Sequence, residues 1–240
     1  MILRTMMVSM LLFAVSAGGF EPRKDDAVAK NKLLPWHDLH SLMAKSNFRQ
    51  EKGLLSSENF HAVEQYAKEY GVDALLILSV IQQESQYNPD AVSDRGAVGL
   101  MQIMPVTNAE VPDVLSAEDL HLPKENIRTG VFYFSRLLDL FKDSEPDDRI
   151  RLALAAYNAG PSRIYDAQEM GAYLGENPHR WTTIQHMLPL LSKRYYSLHE
   201  IIWESGKPRS GYFGDSKQTT AYVESTMEIY SRLVKESESS

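Results

Sequence analysis

Residues 74–84 form a stretch in which apolar side chains recur at helical spacing and the last side chain is a carboxylic acid. The apolar residues of this stripe are Leu76, Ile77, Val80 and Ile81. Glu84 follows Val80 by four residues, so both side chains lie on the same face of the predicted helix. Asn88-Pro89 predicts the end of this helix, because the residue before a proline disfavours the helical conformation. The pattern therefore places one carboxyl group at the edge of an apolar surface.

Apolar residues at helical spacing recur along the rest of the chain. Ser57 is predicted to cap a first helix that stops at Gly71, and Asp73 is predicted to cap the helix that carries Glu84. Further helices are predicted over residues 125–142, 148–158, 162–170, 178–191 and 218–234, with a loop at 206–215. Strand patterns are weak and the sequence has no internal repeat, so we expect a single, mainly α-helical domain.

Composition excludes several classes of protein. The chain has 240 residues, of which 43% are hydrophobic, and this is enough for a packed core. A formal net charge of −7 and the absence of a basic stripe argue against a nucleic-acid partner. The chain has no cysteine, which excludes disulfides and cysteine-ligated zinc, and its 7 histidines lack metal-ligand spacing. We therefore expect no metal site.

The N-terminal segment is typical of export. A short positive region ends at Arg4, an apolar run covers residues 6–15, and small residues at 16–17 offer a cleavage site. We therefore predict a signal peptide over residues 1–18 and an exported, soluble, periplasmic protein, with a buried N-terminal helix as the alternative. Without a cysteine, lipid attachment at a processed N-terminal cysteine is impossible. Residues 19–55 are predicted as a tether with one loosely docked helix, and residues 56–236 as the globular domain.

Glu84 has the minimum chemistry for cleaving a glycosidic bond. Beside an apolar surface its carboxyl group loses hydration, which disfavours the charged form and raises the pKa. A glutamic acid that stays protonated near neutral pH can donate a proton to a glycosidic oxygen. The alternative is a glutamate at a helix C-terminus that pairs with a nearby lysine or arginine.

A glycine-containing segment, residues 93–105, follows Glu84 and has the features of a sugar-binding loop. Gly96 and Gly99 allow close approach of a ligand to the backbone. Gln102 supplies donors and acceptors for hydroxyl or acetamide groups, and Met104 supplies an adaptable apolar contact. The alternative is an ordinary glycine-containing loop with a core methionine.

Four motifs in order carry a resemblance to a known family. They are Glu84-Ser85-x-Tyr87-Asn88-Pro89 with Gly96-Ala97-x-Gly99-Leu100-Met101-Gln102-Ile103-Met104-Pro105, then Asn126-Ile127-x-x-Gly130, then Ala155-Ala156-Tyr157-Asn158-Ala159-Gly160, and last Ala221-Tyr222-Val223. This set resembles family 1 lytic transglycosylases, so residues 56–236 are expected to form their catalytic domain, with a goose-type lysozyme-like fold. Residues 166–192 are similar to the branch called membrane-bound lytic transglycosylase F, whose long N-terminal solute-binding-like domain this chain lacks. Ala74 also stands where the family often has a proline.

The resemblance implies a reaction with one catalytic carboxyl group, Glu84. The acid would protonate the glycosidic oxygen between N-acetylmuramic acid (MurNAc) and N-acetylglucosamine (GlcNAc), and then remove the proton of the muramoyl 6-hydroxyl. The product would be a 1,6-anhydro ring, formed without water, and no metal or organic cofactor would be needed. A muramidase-type hydrolase and a non-catalytic peptidoglycan-binding protein are the alternatives.

The resemblance also implies roles for other residues. Ser93, Gln102 and Met104 would contact the muramoyl residue, Tyr222 would orient the acid or the acetamide group, and Asn158 would line the cleft. Two further candidates for substrate binding, Tyr157 and Ser85, have structural alternatives as a core aromatic and a local backbone partner. The expected partner is a peptidoglycan glycan strand, bound by a monomer; a partner in the cell-envelope machinery stays open.

Overall fold

The computed structural model describes residues 55–108 and 119–238. The predicted signal peptide and nearly all of the predicted tether lie outside these residues. Nine α-helices form within the described part: α1 (Ser57–Tyr70), α2 (Ala74–Ser85), α3 (Pro105–Asn108), α4 (Pro123–Leu140), α5 (Pro146–Ala159), α6 (Pro161–Tyr173), α7 (Trp181–Met187), α8 (Tyr196–Ile202) and α9 (Ser216–Glu238). Short 3-10 turns lie at Asp119–His121, Leu188–Leu191 and Lys193–Tyr195. The mainly helical fold is confirmed.

The backbone between α2 and α3 is irregular. Two isolated antiparallel bridges, Val92 to Val98 and Val98 to Ile103, fold this segment back on itself. No extended strand forms among the described residues. The segment therefore lies as a compact loop, which we call the glycine loop (residues 91–104), after the end of α2.

Two predicted helix ends are wrong by a few residues. The N-cap of α1 is Ser56, whose hydroxyl accepts a 3.2 Å hydrogen bond from the Asn59 amide, and Ser57 is already helical. Helix α2 ends at Ser85, before the Asn-Pro pair, because Gln86 takes the left-handed conformation with φ of 51°. Its amide donates to the Gln82 carbonyl, so a terminal carbonyl is satisfied there. The predicted cap Asp73 is confirmed, since its carboxylate accepts from the Leu75 amide at 2.8 Å.

Prolines set the starts of three helices earlier than the periodicity predicted. Pro123, Pro146 and Pro161 occupy the first turns of α4, α5 and α6, where a missing amide proton costs nothing. The predicted segment 178–191 divides into α7 and a 3-10 turn. Helix α8 was not predicted, because it exposes Tyr196 and Ile201 and so lacks an amphipathic pattern.

Helix α2 is the centre of the core. Four consecutive side chains, Leu75 to Leu78, and later Val80 and Ile81 are buried, so the helix is surrounded on nearly all sides. Helix α9 packs along α2 and α5, while α1 packs against α4. This arrangement brings the C-terminal end of α2, the end of α5 and the first half of α9 together. No helix of the described residues is both long and apolar enough to cross a membrane.

Candidate active site

Glu84 lies in the last turn of α2, at the edge of the apolar core. Burial of its carboxyl group raises the pKa from an ordinary 4.5 to about 7, and a hydrogen bond from Tyr222 lowers it by less. The Tyr222 hydroxyl donates to the Glu84 Oε1 at 2.7 Å. No lysine or arginine of the described residues forms an ion pair with Glu84. The helix-end ion pair of the alternative is therefore not formed among the described residues, and a pKa of about 7 leaves the carboxyl group able to donate a proton near neutral pH.

Tyr222 lies on α9 and is buried. Burial first, and the nearby Glu84 next, hold the pKa of the Tyr222 hydroxyl well above 10, so this group stays neutral and donates its proton to the carboxyl group. Tyr222 also lies near Tyr157, which is one of the groups that raise the pKa of Tyr222. The charge of Glu84 raises the pKa of both tyrosines. The two tyrosines and Glu84 come from α9, α5 and α2, which the fold brings together.

No second carboxylate of the described residues acts on Glu84. Burial and the Tyr222 hydrogen bond account for the shift in its pKa, with no aspartate or glutamate of the described residues contributing. No group of three or more histidine, aspartate or glutamate side chains in the described part of the chain is placed to hold a metal ion. The described site therefore offers one acid, without the pair of carboxyl groups that most glycosidases use.

Ser93 and Gln102 shape the glycine loop. The Ser93 hydroxyl accepts a 3.0 Å hydrogen bond from the Ala97 amide, and the Gln102 side-chain amide donates to the carbonyls of Ala91 and Gly99, both at 3.0 Å. Gln102 itself has φ of 47°, in the left-handed region that non-glycine residues rarely adopt. Both predicted substrate-binding residues thus hold the loop in shape, and Met104 lies half-buried where the loop ends.

Asn126 locks the glycine loop onto α4. Its Oδ1 accepts from the Met101 amide at 2.8 Å, while its Nδ2 donates to the Val98 carbonyl at 2.9 Å and the Leu120 carbonyl at 3.0 Å. A Cβ at Gly99 would lie 2.6 Å from the Asn126 Cγ, so only glycine fits there. The sequence motif contained Asn126, but periodicity alone gave it no role, because its complete burial is visible only in the structure.

The hydroxyl groups of Tyr157 and Ser85 both donate hydrogen bonds to backbone carbonyls of the protein. The Tyr157 hydroxyl, at the end of α5, donates to the Met101 carbonyl at 2.7 Å and so fixes the glycine loop from a second side. The buried Ser85 hydroxyl donates to the Ile81 carbonyl of its own helix at 3.1 Å. Tyr157 still lies close enough to feel the charge of Glu84, which raises its pKa, with burial as the larger cause.

Asn158 is exposed at the end of α5, beside Tyr157. Its Oδ1 accepts a 2.9 Å hydrogen bond from the hydroxyl of Thr219, a buried residue in the first turn of α9. Thr219 was not predicted as a site residue, because a threonine near a helix start is typical of a local cap. The contact links α5 to α9 one helical turn away from Tyr222.

The fold and the site together define a class of protein. Residues 61–176 match the family model described as the transglycosylase SLT domain. Glu84, the glycine loop, Asn126 and Asn158 all lie inside the matched residues, whereas Thr219 and Tyr222 follow them in the chain.

Particular relatives agree with this class. The chain is 39% identical over 137 residues to membrane-bound lytic murein transglycosylase F 1 of Alkalilimnicola ehrlichii, covering 57% of this chain and 27% of the relative. It is 40% identical over 135 residues to membrane-bound lytic murein transglycosylase F of Desulfosudis oleivorans, covering 56% of this chain and 29% of the relative. The predicted resemblance to this branch is confirmed. The chain spans little more than a quarter of the length of these relatives.

A solved structure shares the fold. The crystal structure of the 70 kDa soluble lytic transglycosylase of Escherichia coli superimposes with a TM-score of 0.51 at 22% identity, over 75% of this chain and 24% of that one. The likeness concerns the fold, and it confirms the expected lysozyme-like helical domain.

Proposed function

We propose that this chain is a lytic transglycosylase that cleaves the β-1,4 bond between MurNAc and GlcNAc in peptidoglycan and leaves 1,6-anhydro-MurNAc ends. The match to the SLT domain and the relatives, which are named lytic murein transglycosylases, support the substrate class. The observation that carries the proposal is the desolvated carboxyl group of Glu84, with a pKa of about 7 and a neutral tyrosine as its hydrogen-bond partner.

In the first step Glu84 acts as an acid. Its proton goes to the glycosidic oxygen as the bond from that oxygen to C1 of MurNAc breaks, and the GlcNAc side leaves as an alcohol. The acetamide oxygen of the same MurNAc residue supplies the electron pair to C1. A second carboxylate, which would normally supply this electron pair, is therefore not needed.

In the second step Glu84, now a carboxylate, acts as a base. It takes the proton of the MurNAc 6-hydroxyl while that oxygen bonds to C1 and the acetamide oxygen departs. Glu84 ends the cycle protonated, and no water enters the product. A group that donates and then accepts one proton works best with a pKa near the working pH, and the pKa of about 7 meets this requirement.

Tyr222 supports both steps. Its hydroxyl donates to Oε1 at 2.7 Å, so the carboxyl group has one fixed orientation and its other oxygen carries the transferred proton. A hydrogen bond to the charged form stabilises the carboxylate after the first step. Tyr222 thus keeps Glu84 acidic enough to give up its proton in spite of its burial.

The glycine loop and Asn158 form the proposed binding surface for the glycan. The loop is held from α4 by Asn126 and from α5 by Tyr157, so it presents a fixed backbone beside Glu84. Ser93, Gln102 and Met104 lie in this loop. We assign the muramoyl contact to the loop as a whole, with Asn158 on the opposite element, α5.

The substrate places the enzyme outside the cytoplasmic membrane. The proposed export depends on the signal peptide predicted for residues 1–18, while the relatives are named membrane-bound. Fractionation of cells that express the full chain tests this: the processed protein is expected in the periplasmic fraction, and an unprocessed cytoplasmic protein would contradict export.

Muropeptide analysis tests the proposed reaction. Purified sacculi digested by the wild-type protein are expected to release fragments with anhydro ends, each lighter by one water than the hydrolysed fragment. Glu84→Gln is expected to release nothing while it still binds sacculi. Fragments with reducing ends alone would indicate a muramidase-type hydrolase, and a wild-type protein that binds without release would indicate a binding protein.

A further inference from the structure

The strongest unassigned contact near the site joins Thr219 to Asn158. Thr219 is 1% exposed, so its hydroxyl has no access to water and needs a protein partner. The hydroxyl has one proton and two acceptors nearby: the Asn158 Oδ1 at 2.9 Å and the Asp215 carbonyl at 3.4 Å. The Asp215 carbonyl already accepts from the Thr219 amide at 3.1 Å. The shorter bond to Asn158 therefore takes the proton.

This bond decides which way the Asn158 amide faces. An asparagine side chain has an acceptor end and a donor end, and either can point toward a ligand. Since Oδ1 is bound to Thr219 and Asn158 is exposed, the two protons of Nδ2 are the part of this amide left to meet a ligand. Asn158 is then a donor toward anything that lies over the end of α5.

The contact lies about one turn of α9 from Tyr222, the hydrogen-bond partner of Glu84. Thr219 precedes Tyr222 by three residues on α9, so the two side chains share one face and are about 4.5 Å apart along the helix axis. Tyr222 binds Glu84, and Tyr157, next to Asn158, feels the charge of Glu84. One face of α9 thus holds the acid through Tyr222 and the exposed amide through Thr219.

We propose that Thr219 is a positioning residue that fixes Asn158 as a hydrogen-bond donor to a carbonyl or hydroxyl oxygen of the glycan next to the scissile bond. The proposal rests on the proposed function, because it assigns a role in binding that substrate. A freely rotating Asn158 amide would present its donor and its acceptor to the substrate in turn, and binding would have to fix one of the two orientations. An amide that is already fixed by Thr219 avoids this entropic cost. Thr219 acts through Asn158 and does not touch the substrate.

A double-mutant cycle separates this role from a structural one. Thr219→Val keeps the shape and removes the hydroxyl, and it is expected to raise KM about 3- to 10-fold with little change in kcat. Thr219→Ser is expected to restore the wild-type KM. In an Asn158→Ala background, Thr219→Val is expected to add nothing further, because the group through which it acts is gone. Thr220→Val is the matched control, since its hydroxyl bonds only the Ser216 carbonyl of its own helix.

The donor is identified by binding in the inactive Glu84→Gln protein. The probe is a peptidoglycan tetrasaccharide of alternating GlcNAc and MurNAc, with its Kd measured by calorimetry. Asn158→Asp keeps an acceptor for the Thr219 hydroxyl and removes the donor, so it is expected to weaken binding as much as Asn158→Ala does. Wild-type affinity in Asn158→Asp would overturn the donor assignment.

The outcomes distinguish the two levels of the proposal. A wild-type protein that releases fragments, with losses from Thr219→Val and Asn158→Ala that simply multiply, would overturn the positioning role and leave the proposed function intact. A wild-type protein that neither binds the tetrasaccharide nor releases fragments would overturn the proposed function, and the role of Thr219 with it.

Discussion

The Tyr222 hydroxyl and the Glu84 carboxyl group, 138 residues apart in the chain, are joined by a 2.7 Å hydrogen bond. The bond spans the packed helices α2 and α9, and it is the polar contact of the one buried acid at the proposed site. Other polar contacts keep the two helices in register, among them Ser225 to Gln83 at 2.7 Å and Tyr230 to Asp73 at 2.7 Å. The position of the tyrosine over the acid thus depends on the whole length of this helix pair.

Activity is expected to fall as the pH rises through about 7. The protonated form of Glu84 starts the reaction, and burial raises its pKa to about 7, so kcat/KM should decline tenfold per pH unit above that value. The measurement is the initial rate of fragment release from sacculi across the pH range. An optimum well above pH 8, with no decline near about 7, would contradict the role of Glu84 as the acid.

Replacing Tyr222 by phenylalanine is expected to move this decline to higher pH. The Tyr222 hydrogen bond lowers the pKa of Glu84, so its loss raises that pKa further. The maximal rate is expected to fall about 10-fold or more, because the acid loses its fixed orientation and its carboxylate loses a donor. The pH–rate profile of the variant checks both effects.

Tyr230→Phe is the matched control for this experiment. Its hydroxyl joins α9 to α2 at Asp73, away from Glu84, so its loss affects helix packing without touching the acid. The control is expected to keep the wild-type pH profile. If both variants shift the profile equally, the effect of Tyr222 is one of packing and the proposed contact has no special role.

Glu84→Gln is expected to stabilise the protein at alkaline pH. The folded-state pKa of about 7 lies above the unfolded value near 4.5, so the wild-type acid adds stability below the lower value and loses it as the pH rises through the higher one. Near pH 8 the neutral glutamine should therefore raise the free energy of unfolding by about 3 kcal/mol, and near pH 4 the difference should be close to zero. Urea unfolding at the two pH values measures this.

Glu228→Gln gives the comparison for the stability experiment. Glu228 is an exposed carboxylate on α9, so its replacement is expected to change stability little at either pH. Equal effects of the two substitutions at pH 8 would indicate a general charge effect, and would contradict a desolvated carboxyl group at position 84.

Two glycines of the loop are expected to differ in their tolerance of alanine. Gly96 and Gly99 both have positive φ, 81° and 79°, so either substitution strains the backbone by about 1 kcal/mol. A Cβ at Gly96 meets nothing within 4 Å, whereas one at Gly99 would lie 2.6 Å from the Asn126 Cγ. Gly99→Ala is therefore expected to cost about 2 kcal/mol more than Gly96→Ala in thermal unfolding. Equal costs would mean that Asn126 does not lock the loop.

Local sequence patterns predicted helix α2 well, but they did not predict the contacts of Glu84. The apolar stripe ending at Glu84 follows from the 3.6-residue period, and the desolvation of Glu84 follows from its place on that stripe. Tyr222, which contacts Glu84, lies 138 positions further along the chain, and no local pattern encodes such a contact. It was expected only from the family motif. Helix α8 was missed because Tyr196 and Ile201 are exposed.

Tertiary hydrogen bonds of polar residues are the other feature that local patterns did not predict. Asn126 and Thr219 are buried and bond across elements, whereas the periodic pattern treats such residues as solvent-facing or as local caps. Ser93 and Gln102 form hydrogen bonds with the loop backbone, which the sequence did not predict, and their contact with substrate stays a prediction. A polar side chain in a binding loop can form hydrogen bonds that stabilise the loop itself, and only the three-dimensional structure shows these contacts.

In the proposed reaction one carboxyl group, that of Glu84, completes the cleavage without water. Digestion in water labelled with heavy oxygen tests this most directly. Sacculi digested by the wild-type protein in heavy-oxygen water should yield muropeptides with anhydro ends that carry no label. Incorporation of one heavy oxygen at C1 of each released MurNAc end would show that water attacks that carbon, and would contradict the account of Glu84 as acid and then base.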